Sequence, residues 1–332
     1  MKLTIKEIAK KAGVSPGTVS KVIHQYADVG EATRKKIEEV LHQTGYWSAQ
    51  RSKSKKRKNR IGIIYGVRVH FNHPFFVNVM NAFSKEVGSL GYDLVFFSSE
   101  TDKRNYVKKC EEAEVDGCMI IGGDEIQQSI EDLDKSDIPC IGIDIKLSGN
   151  KSGYIMTGNK NLGKKVVEHF YLVGHRKMAY IGGIPTTIVG SERTAGFVQA
   201  LSEFGLPVHD DWIEYGDFTE RSGYDAMHAI LSKKNQRPTA IFSASDVMAL
   251  GAMKAIREHN LRIPEDIAIV GCDDIEISSY IPQPLSTMKQ DTDKIGKLAA
   301  HMISDLINGV LASSSIMVDS ELIVRETCGG KR

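Results

Sequence analysis

Several kinds of sequence feature are missing from this chain, and each absence narrows what the protein can be. The 332 residues include five cysteines with no CxxC pair among them, so they indicate no disulfide framework. Cys118, Cys140 and Cys272 fall in apparent strands and are interpreted as reduced core residues. The N-terminus has no signal peptide, and no apolar run is long enough to cross a bilayer. These absences predict a cytoplasmic protein that has no contact with a membrane.

Signatures of catalysis are also missing. The sequence has no GxSxG, P-loop or GxGxxG motif, and the pairs Gly122-Gly123 and Gly182-Gly183 are typical of turns at strand ends. Paired acids or a metal cluster would need a spacing that the chain does not show. The residues considered for such roles are Asp124, Asp144, Asp273, Asp274, His70 and His73. The sequence therefore predicts a protein that is not an enzyme and has no cofactor and no metal.

The most informative segment is an N-terminal pair of short helices around a tight turn. Thr4 can cap the first helix, and Glu7 can reach back to it three residues later. Gly13 ends that helix, and Ser15 as N-cap with Pro16 at the first helical position begins the second. This order predicts a helix-turn-helix, although an ordinary helical hairpin has the same spacing.

Charge distinguishes the two interpretations. Residues 1–60 contain 15 Lys or Arg against 5 Asp or Glu, whereas residues 61–332 contain 28 against 37. A module of net charge +10 on a body of net charge −9 is typical of a protein that binds a polyanion. We therefore interpret the N-terminal segment as a DNA-binding module.

The second helix is predicted to read the DNA. Its apolar residues and Val14 would turn inward, which leaves short polar side chains and one lysine facing outward. The outward set is Ser15, Pro16, Gly17, Thr18, Ser20 and Lys21. Lys21 is long enough to reach a guanine edge in the major groove, and a plain phosphate contact is an equal alternative.

A third helix and a basic segment complete the N-terminal region. The helix is predicted from Glu31 to about Thr44, with Ile37, Val40 and Leu41 on one face. Residues 47–60 have no apolar periodicity and are rich in Lys and Arg, which indicates a linker that orders along DNA.

Beyond the linker, short apolar strands alternate with amphipathic helices. This alternation predicts a doubly wound α/β fold with parallel sheets, and its length favours two lobes. The first helix of the body, residues 74–87, places Phe76, Val79, Met80, Phe83 and Val87 on one stripe. The predicted strands are 61–65, 94–97, 118–121, 140–143, 178–181, 240–242 and 267–271.

The order of these parts resembles the lactose and galactose repressor (LacI/GalR) family of bacterial transcription regulators, over essentially the whole chain. The matching segments are 4–9, 12–22, 31–34, 45–46, 192–197, 245–251, 263–274 and 284–287. The resemblance implies a small all-α helix-turn-helix domain joined to a two-lobed domain like a periplasmic sugar-binding protein. It also implies a homodimer that binds a pseudo-palindromic DNA operator.

The resemblance implies further DNA contacts, and the linker departs from the family. The additional contacts are Thr4, His24, Thr33, Arg51 and Lys53. Lys53 stands where the family usually has a leucine that enters the minor groove from a hinge helix, and a lysine cannot act as that wedge without burying its charge. The sequence leaves open whether the linker forms such a helix.

The resemblance also implies an effector site at the strand ends. Its residues would be Phe71, His73, Phe75, Phe76, Asp144, Arg193, Phe218, Ser245, Asp246 and Asp273. Carboxylates and a guanidinium suit neighbouring hydroxyls, and aromatic faces suit the C–H surface of a sugar. Phe76 and Phe218 fit plain core packing equally well. Ser245 replaces the asparagine that is usual in the family.

Together these features predict a sequence-specific transcription regulator that acts as a repressor. Its operator affinity is expected to be set by a small effector, a sugar or sugar derivative. Control by a protein partner, or by a purine or nucleoside, is the alternative. The expected domains are a helix-turn-helix at 1–46, a basic linker at 47–60 and a body at 61–332. The first lobe is expected at about 61–156 with 290–318, and the second at about 157–289 with 319–328.

Overall fold

The computed structural model describes most of the chain as two compact units, 1–58 and 59–332. The described residues are 5–23, 29–43, 57–66, 72–97, 105–122, 128–233 and 237–329. None of the helices in those ranges combines the length and apolar character needed to cross a membrane.

The described part of the N-terminal unit contains three helices around a small apolar core. They are α1 Ile5–Ala12, α2 Pro16–Ile23 and α3 Glu31–Gln43. Gly13 has a φ of +65°, a left-handed conformation that ends α1 at little cost for a residue without a Cβ. The buried core consists of Ile8, Ala9, Ala12, Val19, Val22, Ile37 and Leu41. The predicted inward positions Val19 and Val22 are thus confirmed.

The larger unit is built from two six-stranded sheets. Its helices are α4 Pro74–Ser89, α5 Tyr106–Glu112, α6 Gln128–Asp134, α7 Asn159–Leu172, α8 Ile188–Glu203, α9 Glu220–Ser232, α10 Asp246–Glu258 and α11 Thr292–Asn308. Short 3-10 turns lie at Asp210–Trp212 and Glu276–Ser279.

The strands of the first sheet have the order β11-β5-β4-β3-β1-β2, and those of the second have the order β12-β10-β9-β8-β6-β7. All neighbours are parallel except β12, which runs antiparallel to β10. The strands are β1 Arg60–Tyr65, β2 Asp93–Phe97, β3 Gly117–Ile121, β4 Cys140–Ile143, β5 Ser152–Thr157, β6 Met178–Gly182, β7 Ile213–Tyr215, β8 Ala240–Ser243, β9 Ala268–Asp273, β10 Ser286–Gln290, β11 Ser314–Val318 and β12 Ser320–Ile323.

Each sheet has its own core, and we call the sheets with their helices the first and second lobes. In the first lobe, α4 and α11 pack with one face of the sheet, while α5 and α6 contribute to a separate apolar cluster. In the second lobe, α7 to α10 surround the sheet in a single large cluster. The predicted thiols Cys118, Cys140 and Cys272 are buried and free, which confirms that interpretation.

One helix departs from its predicted stripe. In α4 the inward residues are Phe75, Val79, Met80, Phe83 and Val87, whereas Phe76 is only half-buried. Phe75 therefore occupies the core position that the periodicity gave to Phe76. Phe75 is 4% exposed inside the first-lobe core, and its expected contact with a ligand stays a prediction.

The chain passes between the lobes at three places. These lie between β5 and α7, between β10 and α11, and between β11 and β12. The first two crossings end strands at Thr157 and Gln290, whose side chains are buried and hydrogen-bonded, with Thr157 Oγ1 donating to Gln290 Oε1 at 2.5 Å. The carboxyl ends of the parallel strands therefore meet where the lobes face each other.

Candidate functional site

The N-terminal unit presents the start of α2 as an exposed polar edge. Ser15, Pro16 and Gly17 are exposed, and Thr18 is half-buried. Ser15 Oγ accepts a hydrogen bond from the Thr18 amide at 3.1 Å and lies 2.8 Å from Thr18 Oγ1. The N-cap predicted at Ser15 is thus confirmed. Thr33, another predicted DNA contact, lies half-buried on α3.

Other predicted DNA contacts cannot be placed by geometry. Thr4, His24, Arg51 and Lys53 lie outside the described residues, as does Phe71 of the expected effector site. Ser20 and Lys21 belong to α2, but their side chains are also outside the described part. Their roles remain predictions from the sequence.

In the larger unit, Arg193 is the cation of the cleft between the lobes. It lies in the first half of α8 and is 2% exposed. Its Nε donates to Asn159 Oδ1 at 2.8 Å, and its Nη1 donates to the Ala244 carbonyl at 2.6 Å. Helices α7 and α8 can approach closely because Gly196 has no Cβ. A Cβ at that position would collide with the backbone of Lys160. That approach brings Asn159 within reach of the guanidinium.

Two carboxylates from different lobes share this cleft. Asp144 follows β4 of the first lobe and is 8% exposed, whereas Asp273 ends β9 of the second lobe and is 5% exposed. Burial raises the pKa of Asp144 to about 6, although the charge of Arg193 acts in the opposite direction. Burial likewise raises the pKa of Asp273, against the same guanidinium. Neither charge is fully compensated by the protein.

Aromatic rings line the same region. His73 precedes α4, is 8% exposed, and places Nε2 3.9 Å from Asp273 Oδ2 across the cleft. Its ring is 5.9 Å from that of Phe76 and 6.3 Å from that of Phe218, in edge-on arrangements. Phe76 and Phe218 are both half-buried and also pack against the core of their own lobes. The core packing of both rings is therefore partial, and their contact with a ligand stays a prediction.

Backbone strain concentrates at these positions. Asp144, Phe218, Asp273 and Asp274 have φ values of 57°, 68°, 119° and 58°. Residues other than glycine adopt this left-handed region only when the surrounding structure holds them there, and such residues cluster at functional sites. The strained residues frame the cleft, which supports its assignment as a binding site.

Two residues of the expected effector site, Ser245 and Asp246, are hydrogen-bonded within the second lobe. Asp246 is fully buried, and its oxygens accept hydrogen bonds from Thr287 Oγ1, Ser278 Oγ and the Ile275 amide at 2.6, 2.9 and 3.0 Å. Ser245 is 1% exposed and caps α10, with Oγ accepting from the Met248 amide at 3.2 Å. Both therefore make hydrogen bonds inside the second lobe, and their contact with a ligand stays a prediction.

Sequence reasoning missed two amide side chains of the cleft. Asn159 begins α7, and Gln290 ends β10, with Nε2 donating to Asp273 Oδ1 at 2.6 Å. Asn159 follows β5, and Gln290 is the last residue of β10. Neither strand was predicted, so neither residue could be recognised as a polar residue at a strand end. Among the described residues, Asn159 Nδ2, Asp144 Oδ1 and Asp273 Oδ2 are buried without a hydrogen-bond partner.

A cavity of about 440 Å³ is also found in the described part of the larger unit, and Asp144, Arg193 and Asp273 are not among the residues that line it. It lies between the start of α4 and the turn after β9. Its walls include Asn72, Pro74, Val77, Asn78, Ile275 and Tyr280. Across the described ranges, no group of three His, Cys, Asp or Glu side chains is arranged to hold a metal ion. The fold and site thus combine a helix-turn-helix module with a two-lobed body that encloses a polar cleft.

Comparisons with known proteins give this combination a family. Residues 4–48 match the model for bacterial regulatory proteins of the lacI family, and residues 167–328 match a periplasmic binding protein-like domain. The chain is 33% identical over 309 residues to the HTH-type transcriptional repressor PurR of Aliivibrio fischeri (strain MJ11), covering 92% of this chain and 91% of the relative. PurR of Serratia proteamaculans (strain 568) is 32% identical over an alignment of 336 positions, gaps included, that covers 98% of this chain and 96% of the relative.

Solved structures of similar chains lead to the same family. The transcriptional regulator CelR in complex with cellobiose has a TM-score of 0.73 at 26% identity, covering 98% of this chain and 99% of that one. The lac repressor dimer bound to operator and the anti-inducer ONPF has a TM-score of 0.72 at 26% identity with the same coverage. The chain belongs to the lacI family, and it is a DNA-binding transcriptional repressor.

Proposed function

We propose that the cleft binds a small, neutral, hydroxyl-rich effector, a sugar or sugar derivative, and that its binding changes the operator affinity of a homodimer. The observation that carries this proposal is that three buried polar atoms of the cleft, Asp144 Oδ1, Asp273 Oδ2 and Asn159 Nδ2, accept or donate no hydrogen bond within the described residues. Each hydroxyl group donates one hydrogen bond and accepts others, so adjacent hydroxyls complement two carboxylate oxygens and one amide.

The charge balance of the cleft favours a neutral ligand. Arg193 is the cation between Asp144 and Asp273, and it already donates to Asn159 and the Ala244 carbonyl. A phosphorylated sugar would bring further negative charge to two carboxyls whose pKa values burial has already raised. Cellobiose in the CelR complex supports a neutral carbohydrate for this chain.

A purine base or nucleoside is the second candidate, because the relatives that cover more than nine-tenths of the chain carry the name PurR. Ring N–H groups and ring nitrogens would serve the same carboxylates and amide. The edge-on rings of His73, Phe76 and Phe218 suit the flat face of a base as well as the C–H face of a sugar.

Calorimetry of the whole chain tests the proposal. The compounds tested are cellobiose, D-ribose, glucose 6-phosphate, hypoxanthine and guanosine. Operator affinity is then measured with and without the compound that binds, and the operator is a duplex selected from a random library. Asp273→Asn and Arg193→Lys should each weaken that ligand at least about tenfold, since each removes a charge-assisted hydrogen bond. Asp225→Asn, in an exposed ion pair with Arg221, is the matched control.

The outcomes separate the candidates. Binding of a neutral sugar with no binding of glucose 6-phosphate supports the proposal. Binding of hypoxanthine or guanosine alone would assign the cleft to purines. If none of the five binds and Asp273→Asn leaves the regulated response intact, control by a protein partner replaces a small effector. Affinity for a sugar should also rise with pH through about 6, since ionised Asp144 is the better acceptor.

A further inference from the structure

The turn after β9 combines two unusual backbone conformations in sequence. Asp273 has a φ of 119° and Asp274 a φ of 58°. An aspartate tolerates a φ such as that of Asp274, but the φ of 119° at Asp273 lies well outside the left-handed minimum and is kept only where other groups hold the chain. The direction of the Asp273 carboxylate into the cleft therefore depends on what holds this turn.

One group that holds it is Arg325, which follows β12. Its Nη2 donates to Asp274 Oδ1 at 2.5 Å, and its Nη1 donates to the Leu285 carbonyl at 2.7 Å. Its backbone amide donates to Ser286 Oγ at 2.8 Å. The two side chains of the ion pair are only 16% and 17% exposed, so the contact is partly shielded from water. Arg325 is thus attached at three points, one of which is the strained turn.

The other holding group is Asp246. It binds the Ile275 amide and Ser278 Oγ on the far side of the turn. Thr287 connects Asp246 to Asp274, because its Oγ1 donates to Asp246 and also accepts from the Asp274 amide at 3.3 Å. Asp274 is therefore held through its side chain by Arg325 and through its backbone by Thr287.

We infer that Arg325 is a positioning residue: by holding Asp274 it fixes the strained turn and aims the Asp273 carboxylate into the cleft. The inference rests on the proposed function in that Asp273 is taken to meet the effector. A guanidinium suits this task because its fixed fork serves the Asp274 carboxylate and the Leu285 carbonyl together, whereas a lysine offers a single ammonium group.

A merely structural Arg325 would behave differently. If it only attached the C-terminal segment to the second sheet, its loss would lower the free energy of unfolding and leave Asp273 in its present surroundings. If it positions Asp273, its loss frees the turn and changes what the carboxyl faces. Those surroundings are Arg193 from α8, Asp246 from α10, Gln290 from β10, and His73 and Asp144 from the first lobe.

The test uses the ligand-free full chain and three variants of the pair, Arg325→Met, Arg325→Lys and Asp274→Asn. Asparagine tolerates the left-handed conformation, so Asp274→Asn weakens the pair even if Arg325→Met fails to fold. Arg262→Met is the matched control, since Arg262 pairs with Asp266 in the same lobe with Nε 3.0 Å from Oδ2 but is exposed. Amide exchange at Ile275 reports the turn, and the titration of ¹³C-labelled Asp273, assigned by difference from Asp273→Asn, reports its carboxyl.

Arg325→Met should speed exchange at Ile275 by about tenfold through local opening, and it should move the Asp273 midpoint toward that of an exposed aspartate. Arg325→Lys should restore part of both values, and Arg262→Met neither. An Asp273 midpoint unchanged in Arg325→Met and Asp274→Asn would overturn the inference. Both readouts are taken without ligand, so they decide the role of Arg325 even if no small molecule binds the cleft.

Discussion

Neutralising Asp144 should stabilise the ligand-free protein, even though Asp144 belongs to the proposed effector site. The pKa of this buried carboxyl is raised from 3.8 to about 6 because burial disfavours the ionised form, and the pull of Arg193 does not fully offset it. A shift of this size corresponds to about 3 kcal/mol of destabilisation by the ionised group, taken as an upper limit. That shift already includes the pull of Arg193, and because it gives an upper limit we expect Asp144→Asn to gain about 1–2 kcal/mol.

The gain should depend on pH in a defined way. Near pH 4 and below, Asp144 is protonated in the folded chain and contributes no penalty. Between about 4 and 6 the folded state holds a proton that the unfolded state has lost, so the free energy of unfolding of the parent falls as pH rises. Above about 6 the penalty is complete and constant. The advantage of Asp144→Asn therefore grows from pH 4 to 6 and then levels off.

Urea unfolding of parent and variant at pH 4.5, 6 and 8 measures this difference. Asp137→Asn is the control with the opposite sign, because the exposed Asp137 has its pKa lowered by the hydrogen bond from Lys151. The reasoning fails if Asp144→Asn is less stable than the parent at pH 8, or if the difference between them is the same at pH 4.5 and pH 8.

Three further predictions concern the DNA module, the linker and the lobes. Lys21→Ala should cost about 1–3 kcal/mol at a selected operator and little on random duplexes; an equal loss on both would make Lys21 a phosphate contact. Replacing residues 55–58 with serine should flatten the dependence of affinity on salt, and a strong DNA kink with an unchanged slope would contradict a linker that acts by charge. Lys146 Nζ lies 2.8 Å from Glu192 Oε1 across the lobes, so Lys146→Glu should widen the distance distribution between lobe spin labels. Adding Glu192→Lys should restore that distribution, whereas Lys164→Glu, within the second lobe, should leave it unchanged.

The sequence predicted strands that are continuous apolar runs, including the partly exposed edge strand β2, and it missed the buried strand β5, whose sequence SGYIMT is not such a run. β3, β4 and β9 read as continuous apolar runs because helices cover their sheets, and they were found within a few residues. The strand β10, with the sequence STMKQ, and the edge strand β11, with SSIMV, were missed. Their apolar content is low because edge positions and interlobe crossings bring polar side chains, and no period of two survives in them.

The site was predictable where a charged residue lies at the end of a recognised strand or in a matched segment. Arg193 and Asp273 are of this kind. The internal hydrogen bonds of Asp246 were not predictable, because its partners Ser278 and Thr287 lie 32 and 41 residues further along the chain and its burial is set by tertiary contacts. Asn159 was missed because an amide at a helix start has no sequence pattern that separates a binding role from an ordinary one.

The strands β11 and β12 have a consequence for how this chain is made. Only Asp319 separates them, yet β11 completes the first sheet beside β5, and β12 completes the second sheet beside β10. A ribosome that has released everything up to residue 313 has therefore delivered two sheets that each lack an edge strand, and unpaired edges invite pairing with other chains. Both lobes therefore gain their closing strands almost together during synthesis, since the ten consecutive residues 314–323 supply the edge strand of the first sheet and then that of the second.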